Sequence, residues 1–331
     1  MKSLTRVGCI LAIALISSSC DRNEASSPVV EKKTVTIITL LSHPSLNRTI
    51  EGFQLGLKDN GYNDSNLEIK VENALGDLDR VPALAKLAVE ENRSLVFALT
   101  TPAASAAVQI TNPAKIPLVY SAVTDPVTAK IVTSMDSSTT YATGVSDRYD
   151  VEKQVKFFKR IMPGLNKLGI LYSAGEQNSS LLATETDREA RAVKITPKSY
   201  VVEDLSRFPV LAKQALDEND AIVINGDNKL TDGLSIAINL AVARKKPLFV
   251  GDPDSVRKGA LATVGPSYFD IGRRAGQKAA DILRGKDVRS IPSERPSGFD
   301  YIINLEAARN MGVSIPAAAW EGRTIWQSSD Q

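Results

Sequence analysis

From Thr34 onward the chain alternates short apolar runs with amphipathic stretches. "TVTIITLL" (34–41) is apolar on both faces, as a buried parallel strand requires. Leu46, Ile50, Phe53 and Leu57 then recur at the spacing of one helix face, and Asn60-Gly61 ends the run. The alternation continues with a strand at "LEIKVEN", a helix from Pro82 through Leu84, Leu87 and Ala88, and a strand at "SLVFALT". A helix at "PAASAAVQI" and strands at "IPLVYS" and "YATGV" complete this series.

The pattern then restarts. Asp150 can cap a helix bearing Val151, Val155, Phe158 and Met162. "KLGILYS", a helix over 178–192, "ITPKSYVV", another helix and "DAIVING" follow; one helix through Leu230, Leu234, Ala237 and Ala241 leads to "KPLFVGD". Strands alternating with helices of this length predict parallel βαβ units with right-handed crossovers. Two such series predict an α/β protein of two doubly wound parallel-sheet lobes. After "GALATVG" a long helix over 266–284 carries Tyr268, Gly272, Ala275, Ala279 and Ile282 on one face. A lone helix needs a surface to pack on. The economical route returns the chain to the first lobe and then crosses once more, with crossings near 145, 264 and 298. Lobe 1 is thereby predicted at 34–144 plus 266–297, and lobe 2 at 145–265 plus 298–331.

Composition narrows the function classes. The 331 residues are 43% apolar and 24% charged, an ordinary globular balance. The net charge is +2, and Lys2 and Arg6 in the leading segment supply that excess. The remainder is near neutral with no basic run, so nothing argues for nucleic acid. Residues 1–20 read as a secretion signal: a charged start, an apolar stretch from Val7 to Ile16 too short to span a bilayer, then "SSSC". Small residues before Cys20 resemble the cleavage site of bacterial lipoproteins, with Ser17 where a leucine is usual. The resemblance implies lipidation of Cys20, and Asp21 resembles a signal for retention at the inner membrane. Plain secretion with cleavage nearby is the alternative. Residues 21–33 are polar and aperiodic and read as a tether of about 20 Å mean span.

With Cys9 in the leading segment, Cys20 is the one mature cysteine and His43 the one histidine. No internal disulfide, metal site or cofactor is expected. There is no G-x-S-x-G and no G-x-x-x-x-G-K-[ST]. Ligands of open α/β sheets bind beyond the carboxyl ends of strands. Those ends read "LLSHPS", "ALTTPA", "YSAVTDP", "LYSAGEQNSS", "INGDNKL" and "VGDPDS", all small and polar, three per lobe. Facing lobes would set them around one cleft. Each such residue can equally be a helix cap.

"HPSLNRTIEGFQLGLKDNGY", "TPAASAA", "PLVYSAVTDPV", "SVRKGALATVGPSYFDIGRRAGQKAADILRGK" and "IINLEAARNMGVSIP" together resemble the substrate-binding proteins of ABC transporters, in particular the tryptophan or tyrosine binders. The likeness runs from about 34 to 316. It implies the type I periplasmic-binding-protein fold with three hinge segments, no catalysis, and delivery of a small solute, an amino acid, to a membrane permease and its ATPase. The location it implies is the outer face of the cytoplasmic membrane, held by lipid on Cys20. By loop position it points to Ser42, His43, Thr101, Pro102, Ser121, Thr124 and Asp125 from lobe 1. From lobe 2 it points to Asn178, Ser179, Asp227, Asn228 and Asp252, with Tyr268 after the second crossing. A solute carboxylate would suit the helix start after Thr101. An ammonium would need Asp227 or Asp252. Tyr120, Tyr172 and Phe249 lie near strand ends as candidate aromatic walls. His43 stays open between ligand contact, helix start and catalysis. A sensory module on the same lobes, or a secreted α/β enzyme, are the rival readings.

Overall fold

A computed structural model describes residues 32–320 and the strand 324–326. The proposed signal, Cys20 and most of the tether lie outside these residues. The first series contains β1 (Lys33–Thr39), α1 (Pro44–Lys58), β2 (Leu67–Asn73), α2 (Arg80–Glu90), β3 (Leu95–Leu99), α3 (Thr101–Thr111), β4 (Leu118–Val123) and β5 (Ala142–Ser146). Its strands form a parallel sheet in the order β2-β1-β3-β4-β5.

The second series contains α4 (Val151–Ile161), β6 (Lys167–Tyr172), α5 (Gln177–Ala192), β7 (Thr196–Val201), α6 (Phe208–Glu218) and β8 (Ala221–Ile224). It continues through α7 (Asn228–Thr231), α8 (Leu234–Arg244), β9 (Leu248–Val250), α9 (Pro253–Arg257) and β10 (Ala262–Gly265). Then come α10 (Tyr268–Leu283), β11 (Asp300–Asn304), α11 (Leu305–Asn310) and β12 (Thr324–Trp326). The second sheet runs β12-β11-β10-β9-β8-β6-β7, parallel except that β11 pairs antiparallel with β10.

Two apolar cores follow. One joins residues from Val35 to Val145 with Tyr268 to Ile291; the other joins Tyr149 to Val264 with Ile302 to Ala319. The chain therefore passes between lobes at 145–149, at 264–268 and between 291 and 302. Two differences from the sequence reading have local causes. The helix expected through Leu230 and Ala241 is two helices, α7 and α8, broken at Asp232-Gly233. Gly233 lies so close to Phe208 that a Cβ there would sit 2.5 Å from its ring. All four residues that suggested one helix are still buried, because both short helices cover the same core. The antiparallel β11 was invisible because strand periodicity carries no direction.

The returning helix α10 packs along α1 at backbone distance. A Cβ on Gly52 or Gly56 would lie 2.0 or 2.2 Å from the carbonyl oxygen of Phe269 or Arg273; one on Gly272 or Gly276 would lie 2.1 or 2.2 Å from that of Thr49 or Phe53. Two glycines four apart on each helix make this approach possible. In an ordinary exposed helix Gly→Ala stabilises by about 1 kcal/mol. Here the sign should reverse: Gly56→Ala should cost about 1–3 kcal/mol by overpacking, read as a lower unfolding midpoint.

Candidate functional site

The lobes face each other across a cavity of about 60 Å³, room for a few waters. Its floor and walls come from strand ends and helix starts of both lobes. From lobe 1 come Leu41, His43, Ser45 and Leu46 around the start of α1, with Thr100 just past β3, Ala122 near the end of β4 and Thr124 just past it. Lobe 2 supplies Asn178 at the start of α5, Asp227 and Asn228 before and in α7, Val250 at the end of β9 and Asp252 after it. Asp147 and Tyr149 reach in from the first crossing, and Tyr268 from the start of α10.

Seven of the sequence-predicted residues thus meet at one cavity: His43, Thr124, Asn178, Asp227, Asn228, Asp252 and Tyr268. The other six lie elsewhere. Ser42 is exposed and outside the lining; Pro102 is half-buried. Thr101 is buried and its Oγ1 accepts the Thr124 N–H at 3.2 Å, which shapes the loop. Ser121 is fully buried within β4. Asp125 caps Thr128 and pairs with Arg148 at 3.0 Å. Ser179 donates its hydroxyl to Asp227.

The expected roles shift accordingly. Asp227 is spent inside lobe 2. It accepts from the Ser173 N–H at 2.6 Å, from the Ser173 and Ser179 hydroxyls, and from Leu230 N at 2.9 Å. It is a helix cap and loop clamp. Asp252 caps Ser255 and accepts the Ser45 hydroxyl of the other lobe at 2.7 Å. The helix start after Thr101 has little to offer a carboxylate: Pro102 has no N–H, and Thr100 Oγ1 already accepts from Ala103 N at 3.4 Å. Tyr120 and Phe249 are fully buried in the two cores, and neither they nor Tyr172 line the cavity. The aromatic walls are Tyr149 and Tyr268, whose hydroxyls lie 3.1 Å apart across the lobes.

The carboxylate that sequence reasoning missed is Asp147. It sits just past β5, on the first crossing, and that strand end was not among those compared. Its Oδ1 accepts from Thr124 Oγ1 at 3.3 Å and its Oδ2 from Tyr268 OH at 2.9 Å. Among the described residues it forms no ion pair with a cation. Burial raises its pKa from 3.8 to about 6, against the lowering effect of those hydrogen bonds. That corresponds to about 3 kcal/mol against the ionised form. Burial, and then the Asp147 charge, raise both Tyr149 and Tyr268 well above the usual phenol range. Glu176 is raised by burial and by the Asp227 charge, yet it binds Asn228 N, Asn228 Nδ2 and Lys229 N and so fixes the α7 loop.

His43 has two faces. It is the N-cap of α1, with Nδ1 accepting from Ser45 N at 3.3 Å, and it lines the cavity. Burial lowers its pKa, partly opposed by Asp252, so the ring is neutral near pH 7. Thr100 holds φ 84°, ψ 151°, a region nearly reserved for glycine, at the cavity wall. Such strain costs about 1–3 kcal/mol and concentrates at functional sites. Among the described residues no group of His, Cys, Asp and Glu could hold a metal ion.

Further bonds join the lobes at the rim. Gln177 Nε2 donates to Thr128 O at 3.1 Å, and Arg148 bridges Asp125 of lobe 1 to Glu185 of α5.

The profile of a family described as ABC transporter substrate binding protein matches residues 34–320. A tyrosine-binding protein of Clostridioides difficile (strain R20291) is 29% identical over 313 residues, covering 92% of this chain and 90% of that one. The crystal structure of an ABC domain in complex with L-Trp from Streptococcus pneumoniae superposes with a TM-score of 0.85 at 27% identity, covering 89% of this chain and 99% of that one. The ligand-free, open structure of a substrate-binding protein with adhesive properties from Clostridium difficile gives 0.70 at 26% identity, with the same coverage. At near-equal identity the lobes here match the liganded arrangement better than the open one.

The raised pKa of Asp147 has a sign that can be tested. A carboxyl whose folded pKa is raised lends stability below its unfolded pKa and loses it as pH climbs to the folded value. Between pH 4 and about 6 the wild type should lose stability relative to Asp147→Asn. Above that window the variant should be more stable by about 3 kcal/mol, measured by denaturant unfolding across pH.

Proposed function

The chain belongs to the ABC transporter substrate-binding protein family, and from that premise we propose that it captures an aromatic amino acid, tryptophan or tyrosine, for an importer. Members of this family are extracytoplasmic solute-binding proteins rather than enzymes. The proposed partners are a membrane permease and its ATPase. The proposed anchor is lipid on Cys20, with residues 21–33 as tether, at the outer face of the cytoplasmic membrane. Among the described residues no helix is long and apolar enough to cross a membrane.

One observation carries the ligand class. Asp147 is a buried carboxylate in the interlobe cavity with hydroxyl donors but, among the described residues, no cation. A solute ammonium supplies the missing charge and relieves the cost of ionising it in a low-dielectric site. Leu41 and Leu46 from lobe 1, Leu230, Leu234 and Val250 from lobe 2, and the two tyrosines give a large side chain apolar and aromatic walls. The tyrosine-binding relative and the L-Trp complex support the same class.

The mechanism follows from the lobes. The cavity is much smaller than the ~300 Å³ or more of typical ligand sites, so a solute enters with the lobes apart. Closure brings Asp252 to Ser45 and Tyr149 to Tyr268. Only the closed form contacts the solute from both sides, so the solute shifts the population toward it. The permease would read that shape.

Thermal unfolding with a panel of amino acids, sugars and nucleosides tests the class. L-tryptophan or L-tyrosine should raise the midpoint, by about 2.7 kcal/mol of stabilisation at a hundredfold excess over the dissociation constant. Asp147→Asn should bind at least about 2 kcal/mol more weakly while being the more stable protein alone. A response confined to sugars or nucleosides would refute the proposal.

A further inference from the structure

Two polar atoms in the cavity wall are buried and have no partner among the described residues: Nε2 of His43 and Oδ1 of Asn178. They come from opposite lobes, and their residues are only 7% and 5% exposed. The character of each atom is set by the other bonds its side chain makes. Nδ1 of His43 accepts the Ser45 N–H, so the neutral ring carries its proton on Nε2 and that atom is a donor. Both N–H groups of Asn178 are used, one on Glu176 Oε2 at 3.0 Å and one on Gly226 O at 2.6 Å. Its oxygen is therefore a spare acceptor. An unmatched buried donor or acceptor is costly, and a solute touching both lobes removes both costs at once.

Among the described residues the cavity lining contains no arginine and no lysine. A zwitterion's carboxylate must then be met by neutral donors, and His43 offers an uncommitted N–H. We propose that His43 Nε2–H binds the α-carboxylate of the solute while Asn178 Oδ1 accepts from an N–H or O–H on its side chain. The site then selects amino acids with an indole or phenol over equally bulky apolar ones. This rests on the amino-acid reading above and adds which atoms do the selecting.

Calorimetric titration of the full-length chain in detergent with L-tryptophan, L-tyrosine, L-phenylalanine and tryptamine tests it. The wild type should bind tryptophan or tyrosine roughly tenfold or more tighter than phenylalanine. Tryptamine, which lacks the carboxylate, should bind more weakly than tryptophan. In His43→Asn the new side chain still caps α1 but no longer reaches the carboxylate. Its unfolding midpoint should hold, its affinity for tryptophan should fall roughly tenfold, and its affinity for tryptamine should not change. If the midpoint falls as well, the tryptophan-to-tryptamine affinity ratio remains the readout. An unchanged ratio gives His43 a capping role alone and overturns its half of the proposal. Equal wild-type affinity for phenylalanine and for the donor-bearing pair overturns the Asn178 half. A wild type that binds none of the four overturns the amino-acid reading itself, and this inference with it.

Discussion

The contact of α1 with α10 at backbone distance fixes more of this molecule than any other. It holds a helix that belongs late in the sequence against one that belongs near its start. Both helices begin at the cavity. One start carries His43, Ser45 and Leu46; the other carries Tyr268. Four glycines set the spacing, and the carbonyl oxygens they face leave no room for a methyl group. The phenol of Tyr268 reaches Asp147 because α10 is held this near. A looser crossing would leave the carboxylate one donor short.

The cavity is built with its charge account open. Asp227 and Glu176 are carboxylates too, but their hydrogen bonds are directed inward, to serines, asparagines and backbone N–H groups of lobe 2. They shape the loops. Asp147 receives two hydroxyls and, among the described residues, no cation. Binding and architecture are thus divided among acidic residues of similar appearance, and the division is decided by what each can reach after folding.

That division explains what the sequence could and could not disclose. The alternation of strands and helices, the restart at Asp150 and the buried face of the 268–283 helix were legible because periodicity reports burial directly. His43 and Asp252 were legible as strand-end residues. Asp147 was not: β5 leads into α4, but the turn between them is also the crossing to the other lobe, so it belongs to neither lobe's series of strand-end loops. Asp227 looked like a ligand group because its neighbours in space, Ser173 and Ser179, are remote in sequence. The glycine pairs at 52/56 and 272/276 stood in plain view, but a pair of glycines four apart names its partner helix only once the crossing is known. Tyr120 and Phe249 lie on their strands as expected, but both are sealed in the lobe cores and neither lines the cavity.

Glu294 lies on the third passage between the lobes. Its backbone bridges β5, donating to Gly144 O at 3.0 Å and accepting from Ser146 N at 2.8 Å. Its carboxylate is gripped by Arg274 and the buried Lys278 of α10. Two of the three passages are therefore riveted to lobe 1 up to this point, and bending is left to what lies beyond it: 147–150, 266–267 and 295–299. Asp147 sits at the edge of that axle. A point on an axle sweeps almost no arc when the door swings. Were the lobes to part about these segments, this carboxylate would keep its address beside Thr124 and Tyr268, and only the walls of lobe 2 would travel.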